Sequence, residues 1–84
     1  MKRAIIIGAT SDIGLEVARV LLSRGWHIGA AGRRQEELKQ LRQEAPDRVV
    51  IRVIDITHSD APDHLHQLID DLGGMDLYFH SSGI

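Results

Sequence analysis

Apolar and polar positions follow two alternating periods along this chain. Ala4-Ile-Ile-Ile-Gly8 begins with an unbroken apolar run bounded by glycine, the pattern of a strand buried on both faces. From Leu15 to Arg24 the spacing turns helical. Ile13, Val17 and Leu21 fall four apart, and Ala18 and Leu22 widen the stripe, which predicts that this stripe faces a core. Gly25 then stands where a left-handed residue ends a helix. Trp26 to Ala31 forms a second short apolar segment. From Gln35 the period is again helical, with Leu38, Leu41 and Ala45 on one face and Glu37, Lys39, Gln40 and Arg42 off it, until Pro46 ends the helix. Val49 to Ile56, rich in β-branched residues, reads as a third strand. Ser59 or Asp60 is the expected N-cap of a third helix, with Pro62 in its first turn. Leu65, Leu68, Ile69 and Leu72 make its buried stripe, and Gly73-Gly74 stops it. Met75 to His80 is the fourth strand, leading into Ser81-Ser82-Gly83-Ile84.

This β-α-β-α-β-α-β alternation, with no linker or repeat, predicts an α/β fold with a doubly wound parallel sheet joined by right-handed crossovers. The expected strand order is 3-2-1-4, which puts a switch point between the first and fourth strands. The carboxyl ends of those strands are Gly8-Ala-Thr-Ser and His80-Ser-Ser-Gly, so both should open into one crevice. Right-handed crossovers place the first two helices on one face and the third, from Asp63 to Leu72, on the other. One helix is a thin cover for four strands, so apolar side chains of the first and fourth strands are expected to stay bare there. Trp26, Tyr78 and Phe79 are expected to pack at the sheet. The fourth strand is also an open edge, carrying Leu77, Tyr78 and Phe79 without proline or lysine. Self-association through that face or edge is the expected consequence.

Composition narrows the partners. The chain has 84 residues and no cysteine, room for one small domain without disulfides or thiolate sites. A net charge of -2 lacks the basic stripe that nucleic acid calls for. No run approaches the roughly 20 apolar residues of a membrane span, and Met1-Lys-Arg leads into a strand rather than a signal core. A soluble, cytoplasmic protein is therefore expected. The histidines suggest no metal site, because His64 and His66 are two apart on a helix and point different ways.

A buried strand, a glycine loop and a helix start together expose free backbone N–H groups and a positive helix end, which suits a phosphate. Gly8 allows a tight turn off the strand, and Gly14 lets the helix come close to the sheet. Asp12 is expected to cap the helix and turn aside, leaving Thr10, Ser11 and backbone N–H groups for phosphates. At the end of the second strand, where NAD-selective sites carry a carboxylate, the chain has Gly32 followed by Arg33 and Arg34. A guanidinium there is a bidentate partner for a 2′-phosphate, and it stands at a helix start that otherwise disfavours cations.

The loop Gly8-x-x-x-Asp12-x-Gly14 resembles the Thr-Gly-x-x-x-Gly-x-Gly loop of the short-chain dehydrogenase/reductase family. Gly8 matches the first glycine, Gly14 the third, and Ile13 the apolar residue between the last two. Ile7 replaces the threonine and Asp12 the middle glycine. Asp55 matches the aspartate that hydrogen-bonds the adenine amino group, with Ile56 beside it, and Arg33 matches the basic residue of NADP-preferring members. His80-Ser-Ser-Gly83 stands in place of Asn-Asn-Ala-Gly, which makes Ser82 and Gly83 further candidates. The resemblance spans the chain and implies that residues 1–84 form the incomplete, Rossmann-like cofactor half of a reductase, binding NADP in preference to NAD. It implies no catalytic group here. Tyr78 is the only tyrosine and is followed at i+4 by Ser82, not by the lysine of Tyr-x-x-x-Lys. The expected reading is an N-terminal segment of a longer oxidoreductase, inactive alone. A non-catalytic nucleotide-binding module and an assembly piece that recruits another chain remain alternatives. The lack of Gly-Lys-Ser/Thr excludes a P-loop.

Overall fold

A computed structural model describes residues 1–81. Seven elements follow in order: β1 Arg3–Ile7, α1 Asp12–Ser23, β2 His27–Gly32, α2 Gln35–Glu44, β3 Val49–Val53, α3 Ala61–Leu72 and β4 Leu77–His80. They build one parallel sheet in the order β3-β2-β1-β4, as the alternation predicts. In register, Ile5 lies opposite Gly29 on β2 and Tyr78 on β4. Several strand ends differ from the apolar runs. β2 is shifted one residue along, to His27–Gly32. β3 stops at Val53, because Asp55 begins a tight turn. β4 starts only at Leu77, because Asp76 is drawn back to β1: its N–H donates to Arg3 O, and its carboxylate accepts from Arg3 N–H.

Each sheet face has its own core. Ala4, Ile6, Ile28, Ala30 and Val49 pack against Ala18 and Leu22 of α1 and Leu38 and Leu41 of α2. On the other face Ile5, Ile7, Ala31 and Ile54 meet Leu68 and Leu72 of α3. The buried side of α1 is turned from the expected stripe. Gly14, Ala18 and Leu22 face the sheet, while Val17 and Leu21 flank it and Ile13 is 65% exposed. Small residues win because α1 lies so close: a Cβ on Gly14 would run into the Gly8 carbonyl oxygen.

The expected bare face is only half there. Ile5 and Ile7 are buried, because Gly29 contributes no side chain. A Cβ at Gly29 would meet Ile5 Cδ1 and the Leu68 side chain, so Leu68 settles into that space and one helix covers β1. β4 remains uncovered. Leu77 and Tyr78 are 40% and 45% exposed, so Tyr78 is no core group, whereas Trp26 and Phe79 pack against the core.

Candidate functional site

The carboxyl ends of all four strands open into one cleft of about 270 Å³, whose lining includes Ile7, Gly8, Thr10, Ser11, Gly32 and Arg33. Arg34, Ile54, Asp55, Ile56, Thr57, His80 and Ser81 complete it. The strand order thus brings together the loop after β1, the end of β2, the turn after β3 and the end of β4. Of the residues singled out from the sequence, Gly8, Thr10, Ser11, Gly32, Arg33, Arg34, Asp55 and Ile56 line the cleft. Asp12, Ile13 and Gly14 form the first turn of α1 beside it. Ser82 and Gly83 lie outside the described residues.

The glycine loop is held by an internal network. Gly8 has φ +80, a backbone that side chains rarely tolerate. A Cβ there would also lie 2.5 Å from Ser81 O. Gly8 and Ala9 both donate to Ala31 O at 2.9 and 3.0 Å, which ties the loop to the neighbouring strand. Ser11, not Asp12, is the N-cap of α1. Its Oγ accepts from Gly14 N–H at 3.1 Å and donates to Gly8 O at 2.7 Å. A serine hydroxyl can do both at once and a carboxylate cannot donate, so the cap moves one residue forward. Asp12 becomes the first helical residue, exposed and acidic in the first turn, where the helix dipole favours it. Among the described residues, the amides of Thr10, Asp12 and Ile13 have no acceptor. They are the donors left at this helix end.

At the end of β2 the two arginines differ. Arg34 is the N-terminal flank of α2 and pairs with Glu37 at 3.2 Å. Arg33 is exposed and, among the described residues, forms no hydrogen bond or ion pair. Gly32 is buried, and a Cβ on it would sit 3.2 Å from Thr10 Oγ1. The Thr10 hydroxyl and the Arg33 cation therefore flank a position that carries no side chain.

After β3, the Asp55 carboxylate closes a turn. Oδ1 accepts from Thr57 Oγ1–H at 2.6 Å and from Thr57 N–H at 3.0 Å. These bonds hold the carboxyl below the usual carboxylate range, with the Thr57 hydroxyl contributing most and the fields of His58 and Arg33 adding less. The other oxygen, Oδ2, faces only His58 Nε2 at 3.6 Å, so it keeps capacity to accept from a ligand.

Thr57 and Ser81 line the cleft without being among the residues singled out above. Thr57 closes the turn that an Asp-x-Thr pattern signals. Ser81 belongs to the His80-Ser-Ser-Gly83 segment that strand order brings to the crevice.

Comparisons with known proteins agree with this geometry. The chain is 34% identical over 84 residues to nodulation protein G of Rhizobium sp. strain N33, covering 99% of this chain and 34% of that protein. It superposes with TM-score 0.87 and 27% identity on a structure from Aeromonas hydrophila assigned to the short chain dehydrogenase/reductase family of oxidoreductases, over 95% of this chain and 39% of that one. A variant actinorhodin polyketide ketoreductase solved with NADPH gives TM-score 0.85 at 25% identity, covering 99% and 33%. The chain spans about a third of the length of the curated relatives it matches. Residues 2–84 match the family model described as short chain dehydrogenase, and the chain belongs to that family.

Proposed function

We propose that the chain supplies the cofactor-binding part of an oxidoreductase that moves hydride between NADP(H) and a carbonyl or alcohol substrate, with NADP preferred over NAD. The observation that carries this reading is the end of β2. Gly32 presents no carboxylate to repel a 2′-phosphate, and the Arg33 cation beside it has no acidic partner among the described residues. A guanidinium in that position is fitted to a phosphate by charge and by its fork of donors. The NADPH in the similar ketoreductase supports the same choice.

The donor set fits the rest of a dinucleotide as well. The amides of Thr10, Asp12 and Ile13, at the positive end of α1, would hold the pyrophosphate, with Gly8 and Gly14 keeping that helix end close. The free Oδ2 of Asp55 would accept from the adenine amino group, with Ile56 beside the ring. Ser11 and Arg34 would shape the walls. When bound, the dinucleotide would supply the hydride chemistry, and these groups would hold its adenosine and pyrophosphate parts. The chain offers no general acid for a forming alkoxide: Tyr78 lies in β4 without a lysine four residues on. A cytoplasmic setting, with its nicotinamide pool, belongs to the same proposal.

Titration of the chain with NADP(H) and NAD(H) tests the reading. Tighter binding of NADP(H), with the ratio lost in Arg33→Ala, is expected. Equal affinities, or a ratio unmoved by the substitution, would refute the preference. A second reading rests on β4, whose exposed Leu77 and Tyr78 lie on an unpaired edge: pairing of this edge with a second copy. Sedimentation over a range of concentrations tests it, and a single monomer species throughout would dismiss it.

A further inference from the structure

Ser11 Oγ has three hydrogen-bonding neighbours, and a count of its one proton and two lone pairs determines how each bond runs. Gly14 N–H donates to it at 3.1 Å, which uses one lone pair. Gly8 O, at 2.7 Å, can only accept, so it takes the Ser11 proton. Ser81 Oγ, at 2.8 Å and 70 positions along the chain, must therefore donate into the remaining lone pair. The Ser11 hydroxyl is then saturated, and the Ser81 proton is committed to it.

Ser81 reaches the glycine loop in two other ways. Its N–H donates to Ile7 O at 2.9 Å. Its carbonyl oxygen lies so near Gly8 that a Cβ on that glycine would come within 2.5 Å. The end of β4 thus clasps the β1–α1 loop through backbone, carbonyl and hydroxyl, and the hydroxyl acts on the very atom that caps α1. We propose that Ser81 is a positioning residue for the dinucleotide: its O–H holds Ser11, and through Ser11 it fixes the Thr10, Asp12 and Ile13 amides that receive the pyrophosphate. This rests on the nucleotide reading above and assigns Ser11 to the scaffold, so that its hydroxyl holds the loop and makes no contact with phosphate. Ser81 acts on only one half of the ligand, because Gly32, Arg33 and Asp55, at the adenosine half, are joined to it by no hydrogen bond.

The two halves can be tested separately with the 84-residue chain. Titrate wild type, Ser81→Ala and Ser81→Thr with NADPH and with adenosine 2′-monophosphate, which carries the adenosine and 2′-phosphate but no pyrophosphate. For Ser81→Ala we expect NADPH to bind roughly three- to tenfold more weakly, the effect of one lost hydrogen bond, with the monophosphate unchanged. Ser81→Thr, which restores the hydroxyl, should recover most of the NADPH affinity. Unchanged NADPH binding in Ser81→Ala overturns the proposal, and so does an equal loss for both ligands, which would mark a purely structural serine. If Ser81→Ala does not fold, Ser81→Cys replaces it. Its weak S–H donor should give an intermediate loss, and wild-type affinity would overturn the proposal. A wild-type chain that binds neither ligand removes the nucleotide reading itself, a result distinct from any difference among variants.

Discussion

The two ends of the sheet handle charge in opposite ways. At the amino end, cationic side chains are spent on structure. Arg48 donates to Leu22 O at 2.8 Å and Arg3 Nε to Leu72 O at 3.0 Å, so each guanidinium satisfies a carbonyl in the last turn of a helix, where the dipole favours a cation. Lys2 lies over the Trp26 ring at 5.5 Å. At the carboxyl end the start of α2 carries two cations against the dipole. Arg34 is offset by Glu37, while Arg33 forms no ion pair among the described residues and reaches the Asp55 carboxylate only through its field. Amides at the start of α1 lack acceptors, and one oxygen of Asp55 is left over. At one end Arg3, Arg48 and Lys2 are committed to carbonyls and a ring; the other keeps a cation, donors and an acceptor around a cleft. The residue types are similar, so the difference lies in what each group touches.

The largest expected effect tests whether the carboxyl end is as tightly built as its backbone indicates. Gly14→Ala should destabilise the chain by about 3 kcal/mol, since the new methyl meets backbone rather than a flexible side chain. Urea unfolding measures this, and a loss below about 1 kcal/mol would mean that α1 does not lie so close to Gly8. Next come two arginines with opposite signatures. Arg33→Ala should weaken NADP(H) binding by roughly tenfold and leave the unfolding midpoint unchanged or slightly raised, because a cation leaves a positive helix end. Arg48→Ala should cost about 2 kcal/mol of stability, the worth of a hydrogen bond from a charged donor, and leave NADP(H) affinity alone. If both variants lose affinity and stability together, the contrast between the two ends fails.

The smallest effect concerns Asp55. Its carboxyl is held below the usual range chiefly by the Thr57 hydroxyl. A depressed carboxyl contributes stability above its unfolded pKa and loses that contribution as pH falls through the folded value. In Thr57→Val the folded value should rise towards the ordinary 3.8, with the backbone donor still in place, so less of that stability is present and its loss is complete at a higher pH. An NMR titration of the Asp55 carboxyl reads this directly. No movement between wild type and Thr57→Val would remove the hydroxyl as the main cause.

Strand order and the sides taken by the helices were legible in the sequence because strand–helix alternation with right-handed crossovers leaves few other topologies. The orientation of α1 was not. Periodicity weighs hydrophobicity, whereas the helix end near Gly8 selects on size, so Gly14 and Ala18 turn inward and Ile13 turns out. The cover over β1 was hidden for a related reason. Gly29 looks like an interruption in an apolar strand, yet the volume it leaves is where Leu68 sits. At the site, the glycine loop and Arg33 could be named from local patterns, and Asp55 only from the family resemblance. Strand order places the segments of Ser11 and Ser81 at one crevice, but the bond between their two hydroxyls depends on side-chain placement that neither local pattern encodes.

The pairing of the first strand with the last has a consequence for folding. Arg3 and Asp76 are 73 positions apart, and parallel neighbours so distant in sequence are slow to find each other. During synthesis β1 can pair with β2 early, but its other edge and the underside of the glycine loop stay open until β4 emerges. The glycine-loop end of the cleft therefore forms only once β4 joins β1. A cofactor cannot template the early sheet. It can only trap the finished one, so the dinucleotide should slow unfolding while leaving the rate of refolding nearly unchanged.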